Sequence, residues 1–98
     1  MKKGIVYMVT ESGKRTVKIG FTKNIEQRKK FYRTHSTCAV FIDTKEGTAK
    51  DEKRYQKELE KMGFKKFFPL EKNSEWFKIP KGIKKAEIMH AGFDLFDE

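Results

Sequence analysis

The chain has 98 residues, 37% hydrophobic and 13% aromatic, enough apolar mass for a single folded domain over residues 1–98 without a disulfide or metal staple, and too much for an intrinsically disordered chain. Twenty-three Lys and Arg against fourteen Asp and Glu give a formal charge of +9, a field that draws polyanions, nucleic acid first, with an acidic protein partner or an anionic membrane as the other readings. The lone Cys38 excludes an intramolecular disulfide, no apolar run is long enough to span a membrane, no Lys-rich helix carries a Trp/Phe/Leu face, and Met1-Lys2-Lys3 opens no signal peptide; a cytoplasmic location without membrane binding is expected.

Ile5 to Val9 and Thr16 to Phe21 read as the strands of a β-hairpin. With Ser12-Gly13 as a two-residue loop, Tyr7 stands opposite Lys18, Ile5 opposite Gly20 and Val9 opposite Thr16. The other face collects Val6, Met8, Val17, Ile19 and Phe21, an apolar set suited to a core. The phenol and ammonium are then either an ordinary half-exposed pair or part of a site. Asn24 reads as an N-cap with Gln27 completing a capping box, and a helix follows to about Arg33. Thr37 to Asp43 reads as a third strand. Thr48 caps a second helix with Asp51 and Glu52 in its first turn, and Gly63 closes it. Phe64 to Asn73 reads as a basic, aromatic, irregular connection and Glu75 to Ile79 as a short extended segment. Pro80 leads into a last helix with Ile83, Ala86, Met89 and Phe93 at helical spacing, helix and acidic tail together covering about 81–98, and the acidic end, Asp94 to Glu98, reads as frayed.

Two charges fall on apolar helical stripes. Arg28 lies three residues from Ile25 and Phe31 and four from Tyr32, and Glu52 aligns with Tyr55, Leu59 and Met62. Desolvating a lone charge costs several kcal/mol, so each needs a partner. They either pair with each other across the helices or face a polar cleft, where the carboxylate would hold a divalent metal and the guanidinium a phosphate. Lys14, Arg15, Lys23, Lys29, Lys30, Arg33, Lys65 and Lys66 are the candidate nucleic-acid contacts, against the alternative that they only solvate exposed faces.

Taken in order over about residues 4–79, these residues resemble the GIY-YIG nuclease superfamily. Tyr7 falls on the tyrosine of its first motif, with Ile5-Val6-Tyr7 in place of the name-giving triad, and Lys18-Ile19-Gly20 falls on the second motif in the K-I-G form of one subgroup. The run from Phe21 reaches Arg28 at the family's arginine, Glu52 matches its metal-binding glutamate, and Glu75-Trp76-Phe77 matches the E-W-F ending of the same subgroup. Lys18 replaces the second tyrosine and Tyr32 stands where many members carry a histidine. The late asparagine has no clear counterpart, although Asn73 lies nearby. Tyr32, His35, Asn73 and Glu75 are candidate accessory positions, His35 and His90 reading foremost as surface histidines.

The resemblance implies an α+β fold with a three-stranded antiparallel sheet flanked by helices, and a Mg²⁺- or Mn²⁺-dependent endonuclease acting on nucleic acid, DNA before RNA, as a monomer or weak homodimer. Tyr7 would help deprotonate the attacking water, Arg28 would stabilise the charged transition state and Glu52 would hold the metal. Lys18 would lower the Tyr7 pKa from near 10 by about 1–3 units. The alternatives are a catalytically inactive nucleic-acid-binding or inhibitory module of the same fold, and an adaptor for an acidic protein.

Overall fold

Gly4–Glu11 (β1) and Thr16–Thr22 (β2), buried along most of their length, form an antiparallel hairpin. The computed structural model describes residues 3–35, 37–67 and 76–97. The remaining elements are α1 (Ile25–His35), β3 (Ala39–Gly47), α2 (Ala49–Lys61), β4 (Lys65–Phe67), β5 (Trp76–Lys78) and α3 (Lys85–Ala91), followed by a 3₁₀ turn over Gly92–Phe96. The sheet is antiparallel with five strands in the order β3-β1-β2-β5-β4. The expected three-stranded sheet is therefore corrected: β4 and β5, three residues each, pair with one another, and β5 joins β2 through Thr16↔Lys78 and Val17↔Phe77. Strands so short carry no readable alternation, and only their pairing partners make them strands.

The hairpin register also differs from expectation. Ile5 pairs with Thr22, Tyr7 with Gly20 and Val9 with Lys18, because the loop has four residues, 12–15, rather than two. Lys14 N–H donates to the Glu11 carbonyl at 3.1 Å, and Gly13 at φ +77 supplies the left-handed residue that a type II turn requires. The shift moves each partner by two positions, so every side chain keeps its face.

Val6, Met8, Val17 and Ile19 accordingly pack with Tyr55 and Leu59 of α2, Phe77 of β5, Ile88 and Phe93 in one core cluster. The opposite face is covered as well: Tyr7, Val9, Tyr32 and Trp76 form a second cluster with Ile25, Ala39, Phe41 and Phe67 against it. α1 thus lies on the Tyr7 face, and α2 buries its apolar stripe against the other.

Helix ends follow their capping residues. Gln27 N–H donates to Asn24 Oδ1 at 3.0 Å, but the Asn24 N–H turns to Thr22 Oγ1 at 3.1 Å, so Thr22 supplies the half of the capping box expected from Gln27. At α2, Thr48 and Asp51 form a reciprocal box, and the Thr48 N–H holds the Asp51 carboxyl below its ordinary pKa. Gly63 ends the helix at φ +96.

The last helix starts at Lys85, later than Pro80 suggests. Arg15 Nη2 donates to the carbonyls of Pro80 and Ile83, both at 2.8 Å, and Lys85 Nζ donates to those of Glu11 and Lys14 at 2.7 and 2.6 Å. The residues before α3 are thereby pinned to the hairpin loop instead of entering the helix. With the start displaced, Ile88 faces inward while Ala86 is exposed and Met89 is 44% exposed, whereas Ile83 and Phe93 pack on the core as expected. Instead of fraying from Asp94, the chain forms a 3₁₀ turn through Phe96, where Leu95 and Phe96 pack on the core and the Phe96 ring centroid lies 4.9 Å from that of Tyr55.

Candidate active site

Tyr7 leaves the middle of β1 toward α1 and is 2% exposed. Across the hairpin is Gly20. A β-carbon at position 20 would fall on the ring and hydroxyl of Tyr7, so the phenol can lie over β2 only because that residue is glycine. The rings of Phe41 and Tyr32 wall the phenol, with centroids 5.5 and 6.1 Å from that of Tyr7.

Lys18 stands opposite Val9, diagonal to Tyr7, and the expected direct Tyr7–Lys18 pair is replaced by a relay. Lys18 Nζ donates to the Tyr32 hydroxyl at 2.9 Å, and the Tyr32 and Tyr7 hydroxyl oxygens are 3.5 Å apart. An ammonium can only donate. The Tyr32 oxygen therefore accepts from Lys18, and either phenol can donate in its contact with Tyr7, giving a chain in the order Lys18, Tyr32, Tyr7.

The electrostatics correct a second expectation. Burial pushes the Tyr7 phenol above its ordinary pKa, the Tyr32 hydrogen bond and the Arg28 charge oppose that rise, and Glu52 adds to it. Burial likewise raises Tyr32, reinforced by its neighbour Tyr7. Both phenols are therefore protonated at neutral pH. The two half-buried charges on the helical stripes thus act on one hydroxyl with opposite sign. Arg28 sits one turn before Tyr32 on α1. Glu52 sits one turn before Gln56, whose Nε2 donates to the Ile19 carbonyl at 3.0 Å and ties α2 to β2 between Lys18 and Gly20.

The accessory positions divide. Tyr32 joins Tyr7, whereas His35 is exposed and packs on Phe31 with centroids 4.5 Å apart. Phe31, expected inward, is 49% exposed on the flank of α1. Asn73 and Glu75 lie outside the described residues.

The cations divide too. Lys14 pairs with Glu11 at 3.8 Å, and Arg15 is committed to the Pro80 and Ile83 carbonyls ahead of α3. Lys23, Lys30 and Arg33 are exposed, Lys29 Nζ lies 5.9 Å from the Phe41 centroid, and Lys65 and Lys66 are exposed on β4 at the edge of the sheet.

Sequence reasoning missed Gln56, which has no motif to mark it. It also missed Lys50, Lys53, Arg54, Lys57 and Lys61, which with Glu58 line a groove of about 390 Å³ along α2. Their helical spacing of three and four residues was the available signal.

Among the described residues, no helix is long and apolar enough to cross a membrane. Neither a curated protein nor a solved structure matches the chain. The family model for the T5orf172 domain matches residues 4–90, a span that contains Tyr7, Lys18, Gly20, Arg28, Tyr32 and Glu52. The chain belongs to the T5orf172 domain family, within the GIY-YIG-like/HNH-like endonuclease clan.

Proposed function

We propose that the chain is a metal-dependent endonuclease that hydrolyses phosphodiester bonds in DNA, with Tyr7, Arg28 and Glu52 as its catalytic residues and Lys18 acting through Tyr32. The observation that supports this reading is that the charges of Arg28 and Glu52, carried by two different helices, both bear on the Tyr7 phenol, with opposite sign. Family membership supports the nuclease class.

The donor set suits a hard cation. Among the described residues no group of three or more His, Cys, Asp or Glu converges, so the protein cage typical of structural zinc is not formed there. Mg²⁺ or Mn²⁺ fits a single carboxylate, because Mg²⁺ keeps several waters and takes substrate phosphate oxygens. Glu52 would hold it, and the ion would supply Lewis-acid stabilisation of the oxygens that gain charge.

The remaining chemistry falls to side chains. Arg28 neutralises the equatorial phosphoryl oxygens, which its planar fork can bind bidentately. Tyr7 as phenolate accepts the proton of the attacking water while the new P–O bond forms and the bond to the leaving oxygen breaks. Tyr32 donates to the Tyr7 oxygen and Lys18 polarises Tyr32, so the positive charge of Lys18 favours the phenolate from one residue away.

One observation favours a second reading. Tyr7 is almost wholly buried among aromatic rings, as a structural residue of a binding module that does not cleave would be. Glu52→Gln separates the two. Under the nuclease reading, purified wild type cleaves DNA with Mg²⁺ and stops in excess chelator, while the variant binds DNA at wild-type affinity and does not cleave. Salt-sensitive binding by wild type without cleavage in any divalent metal would establish the module instead.

A further inference from the structure

Beside the site, Lys29, Tyr32 and Arg33 of α1 and Thr37, Ala39 and Phe41 line an open pocket of about 280 Å³. Small-molecule sites run from about 300 Å³ upward, so this one suits a single planar ring system and not a base pair. Its deep wall is aromatic: the Phe41 and Tyr32 rings meet nearly edge to face, 85° apart with centroids separated by 5.4 Å. Its rim is cationic. Lys29 Nζ lies 5.9 Å from the Phe41 centroid, Arg33 is exposed beside it, and no carboxylate is among the described residues lining the pocket.

An aromatic wall beneath two cations complements a ligand with an uncharged flat face joined to an anion, which is the chemistry of a nucleotide. Stacking on aromatic rings tolerates any base, because each has a π-face. Both wall rings also reach the candidate site: Phe41 and Tyr32 each pack on the Tyr7 ring, and the Tyr32 hydroxyl receives Lys18. An occupant would therefore lie next to the phosphate attacked at Tyr7.

We propose that this pocket takes one unpaired nucleotide of the substrate strand, its base against Phe41 and Tyr32 and its phosphate at Lys29 and Arg33. The proposal rests on the nuclease reading for its place beside the scissile bond. It makes the preferred substrate one with a base already free of its partner next to the cut, as in a single strand, a flap or a mismatch, because extruding a paired base costs energy that such substrates spare.

The test uses two probes. Adenosine monophosphate titrated into ¹⁵N-labelled wild type is expected to move the amide resonances of Thr37, Ala39 and Phe41. Oligonucleotides carrying 2-aminopurine at successive positions, bound to Glu52→Gln to prevent cleavage, are expected to show quenching at one position only. Ala39→Leu fills the pocket and Lys29→Glu reverses its rim. Each, made in the Glu52→Gln background, is expected to abolish that quench, and each alone to lower single-turnover cleavage of a flap by about 10–100-fold, the scale of one lost stacked base. The rim variant keeps the test open if the filled pocket does not fold. Cleavage that neither variant changes, with no resonance shift at the pocket, overturns the proposal and leaves the nuclease reading standing. Resonance shifts at the pocket in a protein that never cleaves overturn the nuclease reading and leave a nucleotide site.

Discussion

Tyr7 lies over Gly20, and the space it occupies is that of the β-carbon any other residue would carry there. Gly20→Ala should therefore displace the phenol from the Tyr32 hydroxyl and destabilise the fold by about 1–3 kcal/mol, the cost of overpacking a filled interior. Gly82 has open space around it, and Gly82→Ala should leave stability unchanged or raise it by about 0.4–1 kcal/mol. Denaturant unfolding and single-turnover cleavage of both variants check the contrast. A Gly20→Ala protein with wild-type activity would show that the position of the phenol does not matter.

The relay predicts a pH profile. Burial holds the Tyr7 phenol above its ordinary pKa, so the active phenolate is a small fraction at neutral pH, and log rate should climb with unit slope as pH rises toward that pKa. The Tyr32 hydrogen bond lowers the Tyr7 pKa. Its removal in Tyr32→Phe raises that pKa, moves the limb to higher pH and slows the reaction at any fixed pH below it. Lys18→Met should move the limb the same way, and the double variant should lose far less than the sum of the two. Additive losses on an unmoved limb would reassign Lys18 to direct phosphate binding.

Arg28→Ala should slow single-turnover cleavage by about 10²–10³-fold, the scale for one preorganised donor at developing charge. Lys30→Ala, on an exposed position of the same helix, should instead weaken binding mildly and cut the salt dependence by about one released ion. Equal effects on binding from both would make Arg28 one more backbone contact.

Arg15 gives the opposite test. Its guanidinium holds two carbonyls ahead of α3, so Arg15→Met should cost about 1–3 kcal/mol of unfolding free energy through lost charge-assisted hydrogen bonds while DNA affinity and its salt slope stay near wild type. A stable variant with a reduced salt slope would restore Arg15 to the nucleic-acid surface.

What the sequence determined by itself is what repeats with a local period. The two faces of the hairpin were legible because side chains alternate strictly, and a loop two residues longer than expected leaves that alternation untouched. Tyr55 and Leu59 were legible as an inward stripe, as were the caps at Asn24 and Thr48. What only tertiary structure decided is which groups meet across elements. The loop length made Gly20 rather than Lys18 the partner of Tyr7 and sent the Lys18 ammonium to Tyr32 on α1. Burial between α1, β1 and β3 raised a phenol that a neighbouring ammonium was expected to lower. β4 arose where an irregular connection was expected, β5 joined the expected extended segment to the sheet, and carbonyls ahead of α3 hold the exposed Arg15 side chain. Alternation, helical spacing and capping are properties of neighbouring residues. Register, desolvation and charge pairing depend on groups far apart in the chain, and folding brings them within a few ångströms.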